Sequence, residues 1–375
     1  MTGRLPLRIE HAMRQKERAL ARLESLLDPR ERREARRDHH ARRKPRHCGI
    51  TIHTGVGCSY GCVYCYIWDM GFPGRPKPYP LSALQIAYAI ALNPYVVPGY
   101  TFAAYGSVTE PFLEETRDKA IEYIRTVYNY LALPSQVSTK SIITKELARE
   151  LSRTDPYLSV LISVTGIGKN ARRLEPRAPD PLERIESARI LAGTTVTPTL
   201  FIRPIIPGIT DKEIDEILEA AKRAKVKTIV LGTLRVTSGI VKRLSSIGVE
   251  LPRNLLPKSL DEKRQRYISG SGIKKRLVEI VSRIGFIVLP SACSANVYSH
   301  RMGCSKCRLG PCGDVVPPTI GEIEEALPLL GLDNYRVVDV SPRIIRLRRI
   351  GKYSLGDEIG LFWLREISTL DIVYV

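Results

Sequence analysis

Residues 48–66 read CGITIHTGVGCSYGCVYCY, a short apolar run that opens into a loop carrying Cys58, Cys62 and Cys65. The β-branched alternation over Cys48–Thr54 predicts a strand. Spacings of four and three residues let the three thiols converge from one tight loop, with Gly57 and Gly61 free to take the backbone around them. Thiolates are the usual ligands of iron–sulfur clusters, and a cubane needs one ligand per iron, so three local thiolates leave one iron open. Zinc, with a fourth ligand from Cys48 or His53, also satisfies the spacing.

Outward from this loop, short apolar runs alternate with helical patterns. Leu81–Leu92 predicts a helix between Pro80 and Pro94, Thr101–Tyr105 a strand and Glu114–Tyr130 a helix. Ser141–Thr144 reads as a strand, followed by a short helix from Glu146. Leu158–Val164, Thr195–Ile202 and Thr228–Leu231 read as further strands, separated by helices at Pro181–Ala192 and Asp211–Ala224. Six strands with intervening helices place the chain in the α/β class, as βα units on a parallel sheet whose rim at the strand C-termini binds ligands. No G-x-G-x-x-G follows the first strand, so a dinucleotide fold lacks its fingerprint. Periodicity alone leaves an open doubly wound sheet and a barrel as alternatives.

A helix at Ile273–Ile284 and a strand at Phe286–Leu289 lead to a second cysteine group, Cys293-x10-Cys304-x2-Cys307-x4-Cys312. Four thiols close a metal site, which implies structure or electron transfer; zinc and a second 4Fe–4S cluster both fit, and His300 could replace one ligand. Thereafter comes a helical pattern around Ile320–Leu330. The β-like runs Tyr335–Val340, Ile344–Arg348, Leu361–Ile367 and Leu370–Val375 follow, as in a small α+β or β-barrel appendage. The expected division is a basic helical arm at 1–47, a core domain at 48–290, the cysteine-rich metal site at 291–315 and a small C-terminal domain at 316–375.

Among the 375 residues, 58 Lys+Arg stand against 39 Asp+Glu, a formal charge of +19, and 43% are hydrophobic, which excludes a disordered chain. No apolar run approaches the ~20 residues that cross a bilayer, and the Arg-rich start lacks a signal's hydrophobic region. A cytoplasmic protein without a membrane partner is expected, and eight cysteines in such a compartment point to metal rather than disulfides. Residues 1–47 hold 15 Lys/Arg and 7 Asp/Glu. Leu20, Leu23, Leu26 and Leu27 make 8–27 an amphipathic helix, and Glu31–His47 reads as a mobile arm or an extended helix ended by Pro45. Such a field concentrates polyanions.

The loop Cys58-Ser-Tyr-Gly-Cys-Val-Tyr-Cys-Tyr66 resembles the radical S-adenosylmethionine superfamily, whose C-x3-C-x2-C loop follows the first strand of a partial (β/α)6 barrel. Gly106-Ser-Val-Thr-Glu-Pro111, Ile143-Thr-Lys145, Leu174-Glu-Pro-Arg-Ala-Pro179 and Arg203-Pro-Ile-Ile-Pro-Gly-Ile-Thr-Asp211 are similar to its spore photoproduct lyase-like branch, often labelled DNA repair photolyase-related. The resemblance implies a 4Fe–4S cluster on Cys58, Cys62 and Cys65 whose open iron binds the amino and carboxylate groups of S-adenosylmethionine. Reductive cleavage would then give methionine and a 5′-deoxyadenosyl radical that abstracts a substrate hydrogen, with the electron coming from a ferredoxin- or flavodoxin-type donor. It further implies that Tyr64 fills the aromatic position before the last cysteine and that Gly106 and Glu110 hold the methionine amino group. Lys145 would reach the methionine carboxylate, Ser163 the ribose, and Arg177 and Arg203 carboxylate or phosphate groups.

That branch uses a hydrogen-donating cysteine in its barrel, and no cysteine lies between Cys65 and Cys293, so the resemblance does not carry the substrate. With the basic arm, the expected substrate is a nucleic acid, DNA or RNA. The alternatives are a radical enzyme acting on a protein or peptide with an auxiliary cluster, and a non-enzymatic zinc-stapled nucleic-acid-binding protein. Trp68 and Phe72 either stack on bases or pack over the cluster loop.

Overall fold

A computed structural model describes residues 3–46 and 49–375; Cys48, and with it the start of the expected first strand, lies outside the described residues. Seven strands form one parallel sheet: β1 (Ile50–Ile52), β2 (Ala103–Tyr105), β3 (Ser135–Thr139), β4 (Ser159–Val164), β5 (Thr197–Ile205), β6 (Thr228–Thr233) and β7 (Ile287–Leu289). They pair in chain order, each neighbour parallel. That order settles the barrel question. A doubly wound sheet reverses its strand order at a switch point, whereas here every crossover advances in the same direction and keeps its helix on one face. The sheet is the partial barrel of the expected fold class, extended by β7, which joins as a seventh strand.

The covering helices bury the outward residues of the strands. They are α3 (Ala83–Leu92), α4 (Arg117–Leu131), α5 (Lys145–Ser152), α7 (Pro181–Ala192), α8 (Ile214–Arg223) and α10 (Ser271–Arg283), while Leu174 of α6 (Gly168–Leu174) and Ile240 and Leu244 of α9 (Ser238–Ser246) pack with the three-cysteine loop. Val137, Val160, Ile162, Leu200, Ile202, Ile229 and Leu231 share one hydrophobic core with α3, α4, α5, α7, α8 and α10. The alternate residues face inward, where Leu161, Phe201 and Val230 meet Ala295 of α11 (Ala292–Ser299). Helix α11 closes the barrel at the strands' N-terminal end: Gln136 Nε2 donates to Ala292 O at 2.7 Å and Asn296 Nδ2 to Pro134 O at 2.8 Å.

The strand expected at Ser141–Thr144 lies instead at Ser135–Thr139. Its inward residues Gln136 and Ser138 are polar, so the segment lacks the apolar run that marks a buried strand. The β-like run Leu361–Ile367 is helix, part of α13 (Leu355–Ser368), begun by Ser354, whose Oγ accepts from Asp357 N at 3.1 Å. Phe362 and Trp363 are buried along with Leu361, Leu364 and Ile367, so burial on several sides erases the helical stripe.

The arm is not mobile among the described residues. α1 (Leu5–Leu26) and α2 (Pro29–Arg37) are joined at Asp28, which forms a capping box with Glu31. Leu5, Ile9 and Ala12 pack with α12 (Ile320–Leu329) and α13, while Ala19 and Leu23 join the barrel core. Glu34 accepts from Gln85 Nε2 at 2.9 Å, and Arg36 Nη2 donates to Tyr88 at 2.6 Å. Behind α12 stands a three-stranded sheet of β8 (Tyr335–Val340), β9 (Ile344–Arg349) and β10 (Asp371–Tyr374), so the appendage is α+β. No helix among the described residues is long and apolar enough to cross a membrane.

Candidate active site

Each loop leaving a strand C-terminus reaches the same rim. After β1, the chain makes a short ribbon (Gly55–Val56 with Lys77–Pro78) and then the three-cysteine loop. Gly57 and Gly61 have φ of +89° and +69°, and a Cβ at Gly57 would stand 2.5 Å from Pro73 O. The loop is tied to the rest of the rim. Val63 N donates to Leu174 O at 3.0 Å, Arg177 N to Tyr60 O at 3.2 Å, and Trp68 Nε1 to Cys62 O at 3.2 Å. Trp68 therefore packs against the loop. Arg243 of α9 donates to Val63 O at 2.9 Å and Cys65 O at 3.1 Å while paired with Asp69 at 2.7 Å.

Burial pushes the Cys58 thiol up to about 11 and raises Cys62 and Cys65 as well; Lys140 opposes this at Cys62 and Cys65. Cys58 and Cys65 each raise Cys62, so the three thiols influence one another. This is a set of soft donors, Cys62 buried and Cys58 and Cys65 half-buried, that become thiolates beside a cation, and it suits an iron–sulfur cluster by donor chemistry.

Glu110 is buried at the exit of β2 and clasps the exit of β3. It accepts from Thr139 Oγ1, from Ser141 Oγ at 3.2 Å and from Lys140 N at 2.8 Å. It does not cap a helix. Burial raises its carboxyl above the ordinary value, so a cationic partner would favour its ionised form. Gly106, at φ +89°, lies where a Cβ would come 2.7 Å from Pro111 Cγ and Ser138 O. Ser107 Oγ beside it is buried without a partner.

Lys145 is not at the end of the third strand. It is the exposed first residue of α5, displaced from the rim because β3 ends six residues earlier. Lys140 occupies the strand exit, with Nζ 3.9 Å from Glu175 and 5.7 Å from the centre of the Tyr64 ring. Sequence reading missed it; its only mark was its place one residue after a short strand. Tyr64 is buried, donates to Glu175 and lies 3.0 Å from Thr165 Oγ1. Glu175 pairs with the buried Arg184, not with Arg177, whose exposed guanidinium donates to Ser59 O.

Ser163 is buried in β4 with its carbonyl accepting from Arg184 at 2.8 Å. Arg203 of β5 lies 5.5 Å from the Phe201 ring centre, and its side chain fills the space over Gly232 of β6. Burial and then Arg235 lower it, and Arg203 in turn helps lower Lys274. Three cations thus gather on this side of the mouth, and Arg235 Nε is buried without a partner.

The second cysteine group lies at the opposite end. Cys304 and Cys312 face one another across an antiparallel bridge, each N–H donating to the other's carbonyl at 2.8 Å. Ser291 Oγ lies 3.1 Å from Cys293 Sγ and Ser294 Oγ 3.3 Å from Cys312 Sγ, which places the group at the start of α11. After burial, Cys293 raises Cys304, and Cys293 and Cys307 raise Cys312, so these thiols influence one another. His300 is not among them: its Nε2 lies 2.9 Å from Asp155 and its Nδ1 3.0 Å from Asn296 O.

A one-way parallel barrel with soft donors and a buried carboxylate on its C-terminal rim has the architecture of a cofactor-dependent enzyme. Residues 52–221 match the Radical SAM superfamily. A spore photoproduct lyase double mutant with bound AdoMet and dinucleoside spore photoproduct shares the fold. Its TM-score is 0.52 at 15% identity, over 64% of this chain and 76% of that one. A spore photoproduct lyase single mutant gives 0.52 at 16% identity, over 64% and 75%. Among curated proteins none matches. Residues 52–221 thus resemble the Radical SAM superfamily, and they do so on a barrel fold shared with spore photoproduct lyase.

Proposed function

We propose that this enzyme abstracts hydrogen from a nucleic acid, DNA or RNA, at the C-terminal rim of its barrel. Cys58, Cys62 and Cys65 would hold a 4Fe–4S cluster, and that group, when bound, would supply the electron for reductive cleavage of S-adenosylmethionine. Glu110 and the Gly106 turn receive the ammonium group of methionine, and Lys140, in place of Lys145, faces its carboxylate. Ser163 meets the ribose, and Tyr64 walls the pocket with its hydroxyl locked on Glu175. The observation that carries the substrate class is the grouping of Arg203, Arg235 and Lys274 at the mouth, where mutually repelling cations favour a polyanion.

The basic arm contributes at a distance. Arg8, Arg14 and Arg18 line a cleft of about 800 Å³ with Tyr100 and Tyr130, but it opens toward the strands' N-terminal end. The arm therefore lengthens the footprint without entering the active site. Cys293, Cys304, Cys307 and Cys312 hold a closed second centre, 4Fe–4S or zinc, that braces the barrel's floor.

Anaerobic reconstitution with iron and sulfide, then dithionite and S-adenosylmethionine, is expected to yield 5′-deoxyadenosine, and Cys62→Ala to abolish it; undiminished product in that variant refutes the assignment. Transfer RNA and duplex DNA should bind with affinity falling steeply in salt, and the double variant Arg203→Gln, Arg235→Gln should reduce the log–log salt slope by up to about two. Equal, salt-independent binding of a neutral peptide overturns the nucleic-acid reading.

A further inference from the structure

Three imidazoles meet where the arm crosses the edge strand of the barrel. His39 and His40 lie on a single 3-10 turn after α2, and His53 follows the last residue of β1. Their ring centres are 4.0 Å (His39–His40), 5.1 Å (His39–His53) and 5.3 Å (His40–His53) apart. One ligand nitrogen from each lies within 4.8 Å of the other two, and among the described residues this is the sole trio of His, Cys, Asp or Glu so gathered.

The surroundings orient the rings. His40 is fully buried, and its Nδ1 lies 2.6 Å from Asp38 Oδ1. Tyr79 donates to the other oxygen of Asp38, which fixes the carboxylate. His40 therefore donates from Nδ1, and its Nε2 lone pair accepts a 3.3 Å hydrogen bond from His53 N–H, which a metal at that nitrogen would replace. A carboxylate behind an imidazole is the outer-shell arrangement of histidine metal ligands, since it sets the tautomer and raises the ligand's basicity. His39 Nε2 is buried without a partner, while the side chain as a whole is 41% exposed, so the trio has an edge toward solvent.

We propose that His39, His40 and His53 bind one divalent transition cation of the zinc class, with Asp38 as the outer-shell carboxylate. Imidazole nitrogen suits zinc, copper, iron and nickel rather than calcium or magnesium, and three such ligands leave one position for water. The ion fastens the arm to the C-terminal end of β1, the end from which the chain runs through a short ribbon into the three-cysteine loop. The site is distinct from both cysteine groups and does not depend on the cofactor assignment.

Cobalt(II) alone is the probe. Full-length protein carrying its reconstituted iron–sulfur content is treated with chelator and titrated anaerobically with Co²⁺. The expected result is one equivalent with imidazole-type visible bands, no thiolate-to-cobalt charge transfer, and displacement by Zn²⁺. His39→Ala and His53→Ala should each weaken binding at least tenfold, and Asp38→Asn by about ten- to a hundredfold. His39 is partly exposed, so its variant should stay folded, and Zn²⁺ should raise the melting temperature of the native chain but not of His39→Ala. Binding that shows only thiolate charge transfer, equal affinity in both histidine variants, or no binding at micromolar Co²⁺ overturns the proposal. None of these readouts involves 5′-deoxyadenosine, so failure here is distinguishable from failure of the cofactor reading.

Discussion

At the scale of single residues, the rim is governed by charge held in low dielectric. Glu175 and Arg184 are both buried and serve each other, while Lys140 stands 3.9 Å away. Removing one partner strands the other, so Arg184→Met should cost about 3–5 kcal/mol in denaturant-derived stability, because breaking a buried pair leaves an uncompensated charge. A cost below ~1 kcal/mol means that the pair is relaxed or hydrated. Lys140→Met should raise the KM for S-adenosylmethionine about tenfold or more while Lys145→Met leaves it unchanged, as expected for a lost charge-assisted contact. Equal effects of the two substitutions would return the role to Lys145. The Cys62 thiol, buried and raised, becomes a thiolate only with a cation, which is why its replacement should erase cleavage rather than tune it.

At the scale of elements, α1 is held by more than its apolar stripe. Lys16 Nζ donates to Asn93 O at 2.6 Å and Val96 O at 2.7 Å, and lies 5.3 Å from the centre of the Trp363 ring. Burial lowers this amine to about 7 from its ordinary 10.5, and the neutral amine keeps two protons for its two carbonyls. The unfolded chain retains its extra proton up to about 10.5, so between pH 7 and 10.5 the unfolded state binds more protons and stability rises with pH. Denaturation at pH 7 and pH 9.5 should show the native chain gaining stability relative to Lys16→Met over that interval. A parallel pair of profiles would mean that the amine stays charged in place. Helix α13 carries the matching lesson for sequence reading: a helix buried on several sides presents no stripe to read. The shift of β3 by six residues has the converse cause, a barrel interior lined with Gln136 and Ser138 that looks like a loop.

At the scale of the whole molecule, the two cysteine groups occupy opposite ends of one barrel. The rim loop faces the strands' C-termini, and the second group joins α11 to the C-terminal unit, where Ser305 N donates to Thr369 O at 2.7 Å and Lys306 pairs with the buried Glu366 at 2.8 Å. Loss of the second centre should therefore loosen the floor without touching the rim. Cys307→Ser is expected to lower the melting temperature by several degrees, consistent with about 1–2 kcal/mol in a chain of this size, while 5′-deoxyadenosine formation persists. Iron falling by one cluster's worth in that variant identifies the second centre as iron–sulfur; unchanged iron with lost zinc identifies the other metal. If cleavage is lost with full rim-cluster occupancy, the second group serves electron delivery rather than bracing.

The cysteine spacings, the glycines that bend the rim loop and the βα alternation are local in the chain, so the sequence alone determined the fold class and the two thiol groups. Position across the barrel is not local. Only the tertiary structure decided that Lys140 and not Lys145 stands at the rim, and that Glu175 belongs to Arg184. It likewise separated His300 from the thiols and brought His39 and His40 to His53. These pairings join residues on different loops, whose distance is set by strand register and helix packing rather than by any spacing along the chain.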